Sequence, residues 1–386
     1  MDNKYEIISF NKDDLIVKLD EKPKGHFFYV ILKGRVVFYN DLDERNLYYS
    51  GKGGIIGLVS SILYSNYIAN VMAVEDTEVV KVKISSITDI TDIELLNKIY
   101  DYMYSLLEIY LSKYYTILAK NKLDLYNKDD IEIMANIYKN NGFTDTSYKL
   151  LTKYIELFQN SNDIIRVKEL IKDIKPNSGE ITHIEKNIYK FPKGYTLYTE
   201  IYSSNNIYVI QSGKVGVYSI VNSKQTINNI YTSGYIINGY SPKLEYKPLM
   251  TTAIVLEDSV ISIISKDDLI KIIYEHKPSR TSLIKMISFK VESAIEKIKS
   301  FNENNLNIKL ISIIYSILKI DTLFNIDAKK ITLSHKIEDI KNILNIDNNE
   351  IYEELKNIKY LELDNSSNII ITNIEGYIKK YRKFIK

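Results

Sequence analysis

The chain of 386 residues contains no cysteine and no tryptophan, and its four histidines, His26, His183, His276 and His335, stand far apart. The first absence excludes disulfides, thiolate metal sites and cysteine catalysis, and it suits a reducing compartment. Neither sign of charge is in excess. The 51 Lys and Arg face 49 Asp and Glu, so no global field draws the protein to nucleic acid or to a membrane. The most apolar helical stretch, 93–119, carries Glu94, Lys98, Asp101, Glu108 and Lys113, too many charges for a membrane span. The opening MDNKYEIISF lacks the basic-then-apolar pattern of a secretory signal. There is no nucleophile–base pair, no pair of catalytic carboxylates and no phosphate-cradling glycine loop, so neither an enzyme nor a cofactor is expected. These exclusions predict a cytoplasmic protein with no membrane partner, and 45% apolar residues are enough for two or three domains.

What is present is a repeat. FYVILKGRVVFY (28–39) and IYVIQSGKVGVY (207–218) align without a gap, with Tyr29/Tyr208, Val30/Val209, Ile31/Ile210, Gly34/Gly213, Val36/Val215 and Tyr39/Tyr218 identical. Upstream, FNKDDLI (10–16) faces FPKGYTL (191–197). Downstream, IIG and AVEDTEVVKV face IING and IVLEDSVISI, with Gly57/Gly239, Glu75/Glu257 and Asp76/Asp258 at a constant offset of 182. Short β-branched runs between Gly, Asn and Asp signals predict an antiparallel all-β unit, present twice, in which the quoted segment reads as strand, tight turn and strand.

Each unit resembles the cyclic-nucleotide-binding domain of Crp/Fnr-type regulators, an eight-stranded jelly roll. The resemblance rests on the repeated glycine segment, on IIG leading into a short helix and on the AVED hairpin, and it covers about 10–85 and 190–265. An unrelated jelly roll or a cupin-like barrel is the alternative, and the isolated histidines speak against the metal-binding cupin version. In the resembled family a Gly-Glu pair opens the short helix, and an Arg followed by a small residue comes about ten residues later. Backbone N–H groups and the Arg fork grip the cyclic phosphate, and the Glu accepts from the ribose hydroxyl.

Both cassettes depart from that pattern. In GLVSSILYSNYIANVMA (57–73) Gly57 is kept, Leu58 replaces the Glu, and Tyr67 followed by Ile68 stands at the Arg position. In GYSPKLEYKPLMTTAIV (239–255) Gly239 is kept, Tyr240 replaces the Glu, Leu249 falls at the Arg position and Lys247 is the nearest cation. A charge-assisted hydrogen bond contributes about 1.5–3 kcal/mol, so loss of the Arg alone weakens cyclic-nucleotide binding roughly ten- to a hundredfold. Three readings follow: folded remnants filled by their own Tyr and Leu side chains, pockets for a different and less anionic small-molecule effector, or weak cyclic-nucleotide sites.

Each barrel is followed by a heptad seam: Ile93, Leu96, Tyr100, Met103, Leu107, Tyr110 and Tyr114 after the first, and Ile284, Ile287, Val291, Ala294 and Ile298 after the second. In the resembled family this helix makes the dimer interface. A homodimer, an internal pseudo-dimer of the two halves and a helix lying on its own barrel all satisfy the spacing. Between the halves, 131–160 resembles one tetratricopeptide unit in Met134, Ala135, Tyr138, Gly142, Ser147 and Leu151. A lone unit cannot bury its own face and must pack on a neighbour or a partner; a plain helical spacer is the alternative.

The C-terminal stretch reads as an apolar-striped helix (306–320), then helix, turn at Asn345–Asp347, second helix and strand (336–363), and then a strand–turn–strand wing (361–372). This order resembles the winged helix-turn-helix of Crp/Fnr regulators, with Asn345 where a turn glycine is usual. Asn348, Asn349, Tyr352 and Lys356 are the candidate DNA-contacting residues. The charge departs from the family: 331–378 holds four Lys against nine Asp and Glu, with Glu350, Glu353 and Glu354 on the second helix, and only the tail KKYRKFIK is distinctly basic.

The expected architecture is therefore α+β. A first barrel spans 1–90, a dimer-type helix and helical linker 91–185, a second barrel 186–268, a second heptad helix 269–303 and a winged-helix domain 304–386. The expected function is a tandem-sensor transcriptional regulator with DNA and an unnamed effector as partners. A sensor or scaffold acting through protein contacts is the alternative.

Overall fold

The computed structural model describes residues 6–40, 47–118, 128–176, 179–201, 204, 206–221, 223–238, 251–323, 327–346, 350–381 and 384. The described residues of Met1–Leu107 and Ile270–Lys299 form one compact unit, and those of Glu108–Leu269 and Ser300–Tyr381 form the other.

The first unit starts with eight strands: β1 (Glu6–Phe10), β2 (Leu15–Val17), β3 (Phe27–Lys33), β4 (Val36–Tyr39), β5 (Tyr48–Ser50), β6 (Ile55–Ile56), β7 (Asn70–Ala73) and β8 (Thr77–Lys83). A short helix, α1 (Leu58–Leu63), sits between β6 and β7. They form two antiparallel sheets, ordered β1-β8-β3-β6 and β2-β7-β4-β5. Val17, Ile31, Val36, Ile56, Tyr67, Val71 and Val79 make a core. A 3-10 turn (Ile84–Asp89) leads to α2 (Ile93–Leu118), whose start is capped by the Asp92 carboxylate accepting from Glu94 N at 2.8 Å.

The repeated glycine is not in a hairpin turn, contrary to the pattern reading. β3 and β4 lie in different sheets, and Gly34, at φ 87°, is the corner where the chain passes from one to the other. A Cβ there would stand 2.6 Å from Asp76 O and 2.7 Å from Thr77 Cα, so glycine is required sterically as well as conformationally. The AVED segment is likewise a passage between sheets, from β7 to β8, and not a paired hairpin.

The chain continues through α3 (Lys128–Asn140), α4 (Thr144–Leu157) and α5 (Ile164–Lys172) into the second barrel. Its strands are β9 (Thr182–Glu185), β10 (Ile188–Phe191), β11 (Thr196–Tyr198), β12 (Asn206–Val221), β13 (Lys224–Tyr231), β14 (Ile236–Asn238) and β15 (Thr252–Ser265). They form one seven-stranded sheet along β13-β12-β15-β10-β9, with β11 on β15 and β14 on β12. Here the corners are passed without a break: β12 runs through Gly213 (φ 94°), and register shifts mark the bend. The ladders of the two barrels agree residue for residue. Tyr29 faces Ile56 and Lys81 in the first; Tyr208 faces Ile237 and Ile263 in the second. The linker helices lie on this barrel. Asp145 accepts from Thr196 N at 2.7 Å, the Thr146 and Thr196 hydroxyls are 2.7 Å apart, and Tyr138 donates to Glu200 at 3.2 Å.

Beyond it come α6 (Lys266–Glu275), α7 (Lys277–Asn302), α8 (Leu306–Thr322), β16 (Ile331–Lys336), α9 (Ile337–Leu344), α10 (Glu350–Asn357), β17 (Leu361–Leu363), β18 (Asn368–Ile371) and α11 (Ile374–Tyr381). The last three strands form an antiparallel sheet ordered β16-β18-β17. Asn345 ends α9 in the left-handed region, at φ 52°. Within the second unit, α9 and β16 pack on β13, and Tyr235 OH donates to the carbonyl of Ile320 near the end of α8. Among the described residues no helix is long and apolar enough to cross a membrane.

Candidate functional site

The first cassette is built from a glycine, a buried leucine and an inward tyrosine. Gly57 precedes α1 with φ 75°, a left-handed conformation. A Cβ on it would lie 2.9 Å from Cε1 of Tyr67, so the tyrosine ring is laid directly over the glycine backbone. Leu58 is fully buried, Tyr67 is 8% exposed and Ile68 is half-buried. The Tyr67 backbone is held by two hydrogen bonds, its N–H to Glu21 O at 2.8 Å and its carbonyl from Asp20 N at 3.0 Å. Burial pushes the phenol up to about 12; the nearby Tyr29 adds to this, and a hydrogen bond with Ser61 works against it. Ser61 is anchored in turn by donating to Phe27 O.

No Lys, Arg, Asp or Glu occurs between Gly57 and Ala73. The first cassette therefore has no side chain to neutralise a phosphate, and an aromatic ring that belongs to the barrel core covers its glycine. In the second cassette Gly239, Tyr240, Lys247 and Leu249 lie outside the described residues. Its described border is Thr251, whose hydroxyl stands 3.3 Å from Tyr198 OH.

On the C-terminal side, Asn348 and Asn349 also lie outside the described residues. Tyr352 and Lys356 are on α10, which buries Ile351 and Leu355 and exposes Glu350, Glu353, Lys356 and Asn357. The polar groups of this helix are engaged locally. Tyr352 OH donates to Glu338 at 2.8 Å, which raises its pKa; Lys356 donates to Glu353 at 2.8 Å; Asn307 donates to Glu354 at 3.0 Å. The Lys356 charge is thus answered by a carboxylate on its own helix before any phosphate approaches.

Pattern reading missed three groups. Thr77 and Ser259 hold the corners: their hydroxyls donate to Glu75 O and Glu257 O at 2.7 Å in each barrel. The constant offset of 182 contained that pair. Glu200 is fully buried, its carboxylate taking hydrogen bonds from Tyr138 OH, Ile220 N and Thr252 OH, and burial pushes its pKa up to about 7 against the pull of those donors. Arg280 is the largest side chain fully enclosed in the chain's described residues. Neither Glu200 nor Arg280 sits in a periodic pattern, so only contacts reveal them.

With this geometry in view, comparison with known proteins is informative for the barrels. No curated protein matches the chain. Solved structures similar to it include a CooA mutant from Carboxydothermus hydrogenoformans (17% identity, 50% of this chain and 86% of that one, TM-score 0.39). FixK2 from Bradyrhizobium japonicum is 12% identical over 51% of this chain and 97% of that one, with TM-score 0.38. The cAMP-bound PfPKA-R is 14% identical over 76% of this chain and 84% of that one, with TM-score 0.24. Residues 7–93 and 188–276 each match the cyclic nucleotide-binding domain model, so the chain carries two copies of that domain.

Proposed function

We propose that the chain is a cytoplasmic Crp/Fnr-type transcriptional regulator without catalytic activity, in which the first cyclic nucleotide-binding domain is closed by its own Tyr67 and sensing is left to the second. The observation that carries this reading is the pairing of two such domains with a C-terminal helix–strand–helix–helix–strand–strand order, α8-β16-α9-α10-β17-β18. That order supports a winged helix with α10 as its reading helix. The seam residues Met103, Leu107, Ile287 and Val291 are buried within a single chain, so the face a homodimer would use is already covered. The second reading, a sensor or scaffold acting on proteins, is favoured by the exposed Glu350 and Glu353 and by the local pairing of Lys356.

A pull-down of fragmented genomic DNA at two salt concentrations tests the proposal. The regulator reading expects an enriched sequence whose recovery falls with Asn349→Ala and depends only weakly on salt, because few phosphate contacts release few counterions. No enrichment at low salt turns the assignment to the scaffold.

A further inference from the structure

Arg280, in the first turn of α7, is 2% exposed, and each hydrogen bond of its guanidinium ends on a main-chain carbonyl. Nε donates to Ile273 O at 2.9 Å and Nη2 to Tyr274 O at 2.6 Å, both in the last turn of α6. Nη1 donates to Ile87 O at 3.4 Å, Thr88 O at 2.8 Å and Ile90 O at 2.5 Å, at the end of the 3-10 turn that leaves the first barrel. The last carbonyls of a helix have no partners within it and carry its negative dipole end. One planar fork thus caps two such ends at once, and those dipoles stand in for a carboxylate. All of these residues belong to the same compact unit.

The 3-10 turn is also tied to the first cassette. It packs against α1, and Ile84 N donates to His26 O at 2.9 Å next to the Phe27 carbonyl that holds Ser61. A continuous path of packed groups therefore runs from Gly57 and Tyr67, through α1 and residues 84–90, to the guanidinium on α7.

We propose that Arg280 is a latch: the positioning residue that makes α7 follow the state of the first cassette. A change at Tyr67 that shifts α1 moves the carbonyls of residues 87–90, and Arg280 passes the shift to α7. The first domain then acts through chain mechanics instead of through a bound effector, and this holds whether or not the chain reads DNA.

Hydrogen exchange on the full chain tests it, with Arg280→Met, Arg280→Lys and Tyr67→Leu. Losing a buried charged donor set speeds local opening on the order of tenfold. The expected result is faster exchange of residues 84–92 and 277–299 in R280M, with 206–221 and 252–265 unchanged. R280K is expected to be intermediate, since an ammonium lacks the fork. Tyr67→Leu is expected to speed exchange in 277–299 alone among the distant segments, and to add clearly less there in the R280K background. Uniform acceleration along the whole chain, unchanged rates at both segments, or an equal Tyr67→Leu effect in both backgrounds would overturn the proposal. Should R280M not fold, the R280K pair decides by the same segments.

Discussion

The two barrels are written with the same anchors and finished differently. Each has its glycine corner, its Glu-Asp-Thr/Ser turn with the hydroxyl donating to the Glu carbonyl, and the same ladder register. The first closes as two four-stranded sheets around an apolar core into which Tyr67 is folded. The second runs its long strands unbroken through both corners and buries a carboxylate, Glu200, under a docked helix. Among the positions that stayed identical, Gly34 and Gly213 are those where an added Cβ would meet backbone. Those that diverged are where one packing solution can replace another.

The largest effect that tests this comparison is at the corners. Gly34→Val and Gly213→Val each place a Cβ within 2.7 Å of backbone, at Thr77 Cα and Ser259 Cα respectively, at positive φ. Each is expected to lose about 3 kcal/mol or more in urea unfolding. A large loss at one glycine and none at the other would break the equivalence of the barrels.

A somewhat smaller and one-sided effect belongs to Tyr67. Removal of a buried aromatic ring leaves a cavity, so Tyr67→Ala is expected to cost about 3 kcal/mol, and Tyr67→Phe about 1 kcal/mol from the hydroxyl alone. The sharper outcome is binding: Tyr67→Arg restores a cation over Gly57, and a thermal shift with cyclic nucleotide that wild type lacks would show that the ring, and not the barrel, closed the pocket.

The smallest effect is a pH dependence confined to the second barrel. Glu200 holds its proton to about pH 7 when folded, against an ordinary 4.5. The unfolded chain releases that proton first, so the native state binds more protons in this window and stability falls as pH rises from about 4.5 to about 7. Glu200→Gln removes this dependence. Its urea midpoint is expected to match wild type at pH 4.5 and to exceed it at pH 8, by on the order of 1–3 kcal/mol in unfolding free energy. Parallel curves for the two proteins would mean that Glu200 is not the group that sets the slope.

Much of the fold was legible because it is written in spacing. Met103, Leu107, Tyr110 and Tyr114 on α2, and Ile287, Val291 and Ala294 on α7, are buried as their heptads require, whereas Ile93 at the start of the first seam is 46% exposed. Asn345 stands left-handed where the pattern wanted a turn residue, and Asp364–Ser367 turns the chain between β17 and β18. Other features were not legible. α7 buries Leu283, Met286, Lys290, Ser293 and Lys297 besides its seam, so it is enclosed on several sides; burial alone brings Lys290 and Lys297 down to about 7. A polar residue gives no periodic sign of burial, because its burial depends on partners elsewhere in the chain.

By itself the sequence determined that there are two barrels, where their strands change direction, and that the first cassette has no charge to offer a phosphate. Those properties depend on residue type at a position: glycine for positive φ, β-branched runs for strands, the absence of Arg and Glu from 57–73. Only the tertiary structure decided that Gly34 turns a sheet corner instead of a hairpin, that Tyr67 points inward onto Gly57, and that Arg280 caps two distant helix ends. Each of those depends on which remote carbonyl, ring or Cα occupies the neighbouring few ångströms, and no local pattern encodes that.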